Sequence, residues 1–127
     1  MGDGQRRRSA GDVRRGEIRV ADLEPVRGSE ADKRRPVVVV SNDAANRRAE
    51  SLGRGVITVV PLTSNVTRVL PFQVLVEAGS AGLTRASKVQ AEQVRSIAVE
   101  RLGARVGRLG PETMLEVDRA LRLHLAL

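Results

Sequence analysis

The sequence predicts a mainly β protein with α additions, a small and strongly bent barrel finished by an amphipathic helix. Three observations lead there. Short β-branched segments recur between turn signals, apolar residues near the C-terminus repeat at helical spacing, and 127 residues make a single domain. Residues 1–13 carry Gly, Ser and the run Arg6-Arg7-Arg8 without apolar periodicity, which predicts a disordered basic tail ahead of one domain over 14–127. The ordered pattern begins at Val13; a translation start there would put residues 1–12 outside the native chain, and intact mass decides the point.

The first strand is expected over Glu17–Leu23, where Ile18 and Val20 alternate with polar residues. A charged loop from Glu24 to Arg35 follows, with Pro25 and Gly28 in it. Pro36-Val37-Val38-Val39-Val40 is β-branched after its proline, the pattern of a strand buried on both faces. Asp43 is a candidate N-cap for a helical turn over Ala44–Ala49, and Gly53 and Gly55 break it. Val56–Leu62 is a third strand, with Pro61 where ladder pairing should weaken. Phe72–Val76 and Ser87–Ala91 read as two more strands around a Gly79–Gly82 turn. Ile97–Leu102 fits one helical turn and Ala104–Leu109 a last strand. Pro111 then opens a helix whose apolar stripe is Met114, Val117, Leu121 and Leu125.

Composition removes several kinds of chemistry. The absence of cysteine excludes disulfide scaffolds, iron–sulfur clusters and zinc–thiolate sites, and the single histidine, His124, excludes a two-histidine nuclease. No apolar run approaches the ~20 residues of a membrane span, and the N-terminus has no secretory core, so a cytoplasmic protein without membrane attachment is expected. Twenty-two Lys and Arg against fifteen Asp and Glu give a net charge of +7, which favours a polyanionic partner. With Phe72 the sole aromatic, bases cannot be held by stacking on a platform of rings; arginine planes and backbone groups must serve instead. No phosphate-binding glycine loop, metalloprotease helix or paired carboxylates are visible, and His124 falls in a last helical turn, where the dipole explains it.

Strand pairing supplies the one constellation left. If the strand from Pro36 and the strand ending at Leu62 are antiparallel neighbours, pairing Val40 with Thr58 places Arg35 opposite Thr63. A guanidinium fork and a hydroxyl then meet at the sheet rim, with Ser64 and Asn65 beside them. Such a set suits a phosphodiester, because the fork donates to the non-bridging oxygens and the hydroxyl adds another donor. An ordinary surface arginine and a strand-end threonine are the alternative.

These same segments resemble a known family. Arg15-Gly16-Glu17-Ile18, Asp22-Leu23-Glu24-Pro25, Arg27-Gly28-Ser29-Glu30, Arg35-Pro36-Val37-Val38-Val39-Val40-Ser41-Asn42-Asp43 and Val60-Pro61-Leu62-Thr63-Ser64 are similar to the MazF/PemK toxins, endoribonucleases of type II toxin–antitoxin pairs. Pro71-Phe72-Gln73-Val74 and Ala91-Glu92-Gln93-Val94-Arg95-Ser96-Ile97 extend the likeness, which looks closest to actinobacterial members and runs from about Val13 to Leu127. The resemblance implies an SH3-like barrel of the CcdB/PemK type, built as a homodimer, with single-stranded RNA in a groove that a MazE-like antitoxin also occupies. It puts the catalytic arginine on Arg35 and the catalytic hydroxyl on Thr63. Glu24, Arg27 and the rest of their loop correspond to the segment that helps admit substrate, and Gln93 and Arg95 fall where members approach RNA. One departure is Arg19, at a position where members commonly carry an aromatic ring.

The resemblance implies metal-independent, ribosome-independent and sequence-specific cleavage by attack of the ribose 2′-OH, with no cofactor. Two other readings stay open. A toxin of the CcdB group poisons gyrase through a C-terminal Trp-Gly-Ile, whereas this chain ends Leu125-Ala126-Leu127; a basic module that holds RNA without cutting it is the second.

Overall fold

The computed structural model describes residues 12–23 and 34–127. Its elements are β1 (Glu17–Asp22), β2 (Arg34–Val39), α1 (Asp43–Leu52), β3 (Val56–Thr63), β4 (Gln73–Val76), β5 (Ser87–Gln90), β6 (Arg95–Ala98), β7 (Leu102–Arg108) and α2 (Pro111–Leu125). The strands form one antiparallel sheet in the order β4-β5-β3-β2-β1-β7, with β6 also on β3. β3 is the hub. Its first half pairs β6 from Val56 to Val59, its middle pairs β2, and Leu62 and Thr63 pair β5. Pro61, which has no N–H to donate, falls between the stretch paired with β6 and the stretch paired with β5.

The run of valines in β2 is buried on both faces, as its composition requires. Val38 packs with Ile18, Val60, Leu62, Val89 and Val117 on one side. Val37 and Val39 pack with Val13, Ala49, Ile57, Val59 and Ile97 on the other. This period of two divides the core into a layer under α2 and a layer under α1. Val13, where the ordered pattern begins, belongs to the second layer.

The expected barrel is not closed, because the end strands β4 and β7 do not pair. A glycine seam stands in place of hydrogen bonds. A Cβ on Gly82, in the segment between β4 and β5, would overlap the carbonyl oxygen of Val106, and one on Gly107 would overlap that of Ala81. Gly82 also has φ +85°, a conformation that side chains disfavour. Backbone thus lies directly on backbone where that segment meets β7.

α1 is longer than the expected turn and is capped one residue earlier. Asn42, in extended conformation, is the N-cap, and its Oδ1 accepts from the Ala45 N–H at 2.8 Å. Asp43 is instead the first helical residue, where it accepts from the backbone N–H of Arg15 at 2.7 Å and from Asn46 Nδ2 at 3.2 Å. The Arg15 bond, chiefly, holds its carboxyl below the usual carboxylate range. A carboxyl lowered in this way stabilises the fold at neutral pH, and that contribution is lost as pH falls through the carboxylate range. Asn42→Ala is expected to cost about 1 kcal/mol, read as a lower denaturant midpoint at unchanged slope.

The end of the sheet differs from the sequence reading. Ile97 belongs to β6, paired opposite Ile57, and only Val99–Arg101 form a 3₁₀ turn before β7. Pairing with β3 decides the conformation of a segment too short to declare its own period. In α2 the buried residues are Val117 and Ala120, with Met114 and Leu121 half-buried and Leu125 exposed. The small side chain of Ala120 completes the stripe where the helix meets β4 and the 3₁₀ turn Ala91–Gln93.

Alternation along β1 predicts solvent for Glu17 and Arg19, yet both are buried, at 2% and 1% exposure. They form an ion pair at 3.0 Å. Arg19 Nε donates to Gly103 O, and Glu17 accepts from the Arg14 N–H and lies 3.4 Å from Arg105 Nε. The charge at this position therefore has its counterion and its acceptor inside the fold.

Candidate active site

The ladder between β2 and β3 runs Val37↔Pro61, Val38↔Val60 and Val39↔Val59, and the Val40 N–H continues it to Thr58 O at 2.9 Å. This is the register anticipated from the sequence. Carried two residues past the recorded pairs, it sets Arg35 across from Thr63. Each of the two is held on its outer side as well, since Arg35 pairs Ala21 of β1 and Thr63 pairs Lys88 of β5.

Arg35 and Thr63 line one cavity of about 300 Å³ at the rim of the sheet. Arg34, Pro36, Leu62, Ser64, Leu83, Thr84, Arg85 and Ser87 complete its walls. Its polar lining is thus arginines and hydroxyls, and no carboxylate faces it among the described residues. That set attracts anions and supplies donors to their oxygens.

The threonine is oriented by its own loop. Asn65 N–H donates to Thr63 Oγ1 at 3.2 Å, and the Asn65 side chain in turn accepts from the Thr67 N–H at 3.3 Å. A hydroxyl that accepts from backbone on one side keeps its proton to donate on the other.

Of the residues singled out from the sequence, Arg35, Thr63 and Ser64 share the cavity, and Asn65 acts on it through its backbone N–H. Gln93, exposed in the 3₁₀ turn, and Arg95, half-buried opposite Val59, do not line it. Glu24 and Arg27 lie outside the described residues. Thr84, Arg85 and Ser87 are additions the sequence reading missed. They arrive because β5 joins β3 at Leu62↔Val89, a pairing between distant segments. No group of three or more His, Cys, Asp or Glu that would hold a metal ion occurs among the described residues, and no helix of them is long and apolar enough to cross a membrane.

A cationic, hydroxyl-lined hollow thus lies on the rim of a small antiparallel sheet. The chain belongs to the PemK-like, MazF-like toxins of type II toxin–antitoxin systems, whose family model matches residues 14–125. Endoribonuclease MazF9 of Mycobacterium tuberculosis (strain ATCC 25618 / H37Rv) is 58% identical over 115 residues, covering 91% of this chain and 98% of that one. Endoribonuclease EndoA of Bacillus subtilis (strain 168) is 38% identical over 116 residues, covering 91% and 96%. Among solved structures, an endoribonuclease in complex with its cognate antitoxin from a mycobacterial species superposes with a TM-score of 0.72 at 27% identity, covering 91% of this chain and 96% of that one. The mostly β sheet with its C-terminal helix is therefore the fold of these toxins.

Proposed function

We propose that this chain is the toxin of a toxin–antitoxin pair and an endoribonuclease that cuts single-stranded RNA at the cavity between β2 and β3. The observation that carries the reading is the meeting of Arg35 and Thr63 on one cavity without a carboxylate among the described residues of its lining, with the threonine hydroxyl oriented by the Asn65 N–H. The names of the relatives at 58% and 38% identity support the same activity.

The reaction is a transesterification. The ribose 2′-oxygen bonds to the adjacent phosphorus and loses its proton, the bond from phosphorus to the 5′-oxygen breaks, and that oxygen takes up a proton. The products are a 2′,3′-cyclic phosphate and a 5′-hydroxyl end. Arg35 neutralises charge gathering on the non-bridging oxygens, and Thr63 donates to the same group.

The proposal extends to partners and to place. Two copies form a homodimer in the cytoplasm, and an antitoxin segment competes with RNA for the arginine-lined surface; the solved complex of a related endoribonuclease with its cognate antitoxin supports such a partner. The family resemblance extends the RNA-binding set to Glu24, Arg27, Ser64, Asn65, Gln93 and Arg95.

Incubation of the purified chain with labelled single-stranded RNA and with DNA of matched sequence, both in EDTA, tests the function. RNA is expected to be cut to cyclic-phosphate ends while DNA stays whole. Affinity is expected to fall with salt at a slope near −0.7 per phosphate held. RNA retained without scission would leave a binding module, and arrest of gyrase would move the chain to another toxin class.

A further inference from the structure

We propose that Arg85 holds the RNA strand beside the bond that is cut, taking the phosphate next to the one between Arg35 and Thr63. This rests on the endoribonuclease reading and deepens it, by assigning a second phosphate position within the same cavity. Arg85 reaches the cavity from the segment before β5, whereas Arg35 comes from the start of β2. Two guanidiniums on separate elements, with hydroxyls on both sides and no acid among the described residues of the lining, match successive phosphates of one strand.

Neither Arg35 nor Arg85 carries an ion pair among the described residues, whereas Arg34 is engaged in an interaction of its own. The backbone under Arg85 is firmly held. Ser87, buried, donates its hydroxyl to the Arg85 carbonyl oxygen at 3.1 Å. Leu83 is buried in the core, with its N–H on Ser80 O at 2.9 Å and its carbonyl accepting from the Gly79 N–H at 2.8 Å. The glycine seam at Gly82 presses the same segment onto β7. An anchored backbone means that ligand binding orders only the arginine side chain, which keeps the entropic cost low. Arg85 itself is exposed, so its replacement leaves the fold intact.

The test compares the wild type, Arg85→Gln and Arg85→Lys on one mixed-sequence RNA transcript, with its all-deoxy counterpart as a probe of binding alone. Arg85→Gln is expected to raise KM about tenfold and leave kcat within about twofold. The slope of log affinity against log salt is expected to become shallower by about 0.7, one phosphate on a single strand. Arg85→Lys is expected to restore that slope, because it restores the charge, but only part of the affinity. An unchanged KM and slope in Arg85→Gln would overturn the assignment. A fall in kcat at constant KM would also overturn it, by moving Arg85 onto the reacting phosphate. If the wild type binds the transcript without cutting it, the endoribonuclease reading fails while the salt slope still decides Arg85. If it neither binds nor cuts, both fall.

Discussion

Arg35→Ala is expected to lower the single-turnover rate of RNA cleavage by roughly 10²–10³, about 2.7–4 kcal/mol, while the fold is kept. The side chain is half-exposed at the end of β2, beyond the valines that carry the core, so its loss removes charge stabilisation and little packing. Thr63→Val is expected to show a loss of similar order, and Thr63→Ser to stay close to wild type, because serine keeps both the acceptor for the Asn65 N–H and the proton facing the cavity. If the two groups act on one phosphate, the double variant falls short of the product of the single losses. Rates under saturating enzyme, with circular dichroism to verify folding, check all four variants. Near-normal cleavage by both Arg35→Ala and Thr63→Val would reject the assignment.

The largest effect on stability is expected from Arg19→Met. Glu17 and Arg19 are each nearly inaccessible and 3.0 Å apart. Removing the arginine leaves a buried carboxylate with the longer contact to Arg105 and the Arg14 N–H, and breaking such a pair costs about 3–5 kcal/mol. Against a typical total of about 5–15 kcal/mol, that is enough to lower the unfolding midpoint sharply. Adding Glu17→Leu to Arg19→Met removes the stranded charge, and the double variant is expected to be more stable than Arg19→Met alone. Urea unfolding of wild type, both single variants and the double variant measures the coupling. A loss below about 1 kcal/mol in Arg19→Met would place the pair among weak surface bridges.

The sequence was legible where local pattern and long-range geometry agree. Four consecutive valines can only be a strand covered on both sides, and its antiparallel neighbour is the one other long β-branched run, so Arg35 and Thr63 could be matched before any coordinates. Pro111 and the spacing of Met114, Val117 and Leu121 likewise announced α2. Legibility failed where a distant partner decides. Nothing local distinguishes a helical turn from a strand over Ile97–Leu102 until Ile57 stands opposite Ile97. Asn42 and Asp43 are both good caps, and the bond to Arg15 settles their division of labour. Glu17 and Arg19 read as a wet face because alternation says nothing of a buried counterion. Arg85 was missed for the same reason, since only the β3–β5 pairing brings its segment to Thr63.

The contact of Gly82 with Val106 and of Gly107 with Ala81 has a consequence for how this toxin can diversify. The segment that leads to Arg85 is set against β7 by main chain resting on main chain, at positions where any methyl group acts as a wedge. Side chains elsewhere on the cavity can then be exchanged while the path of this main-chain segment against β7 stays constant.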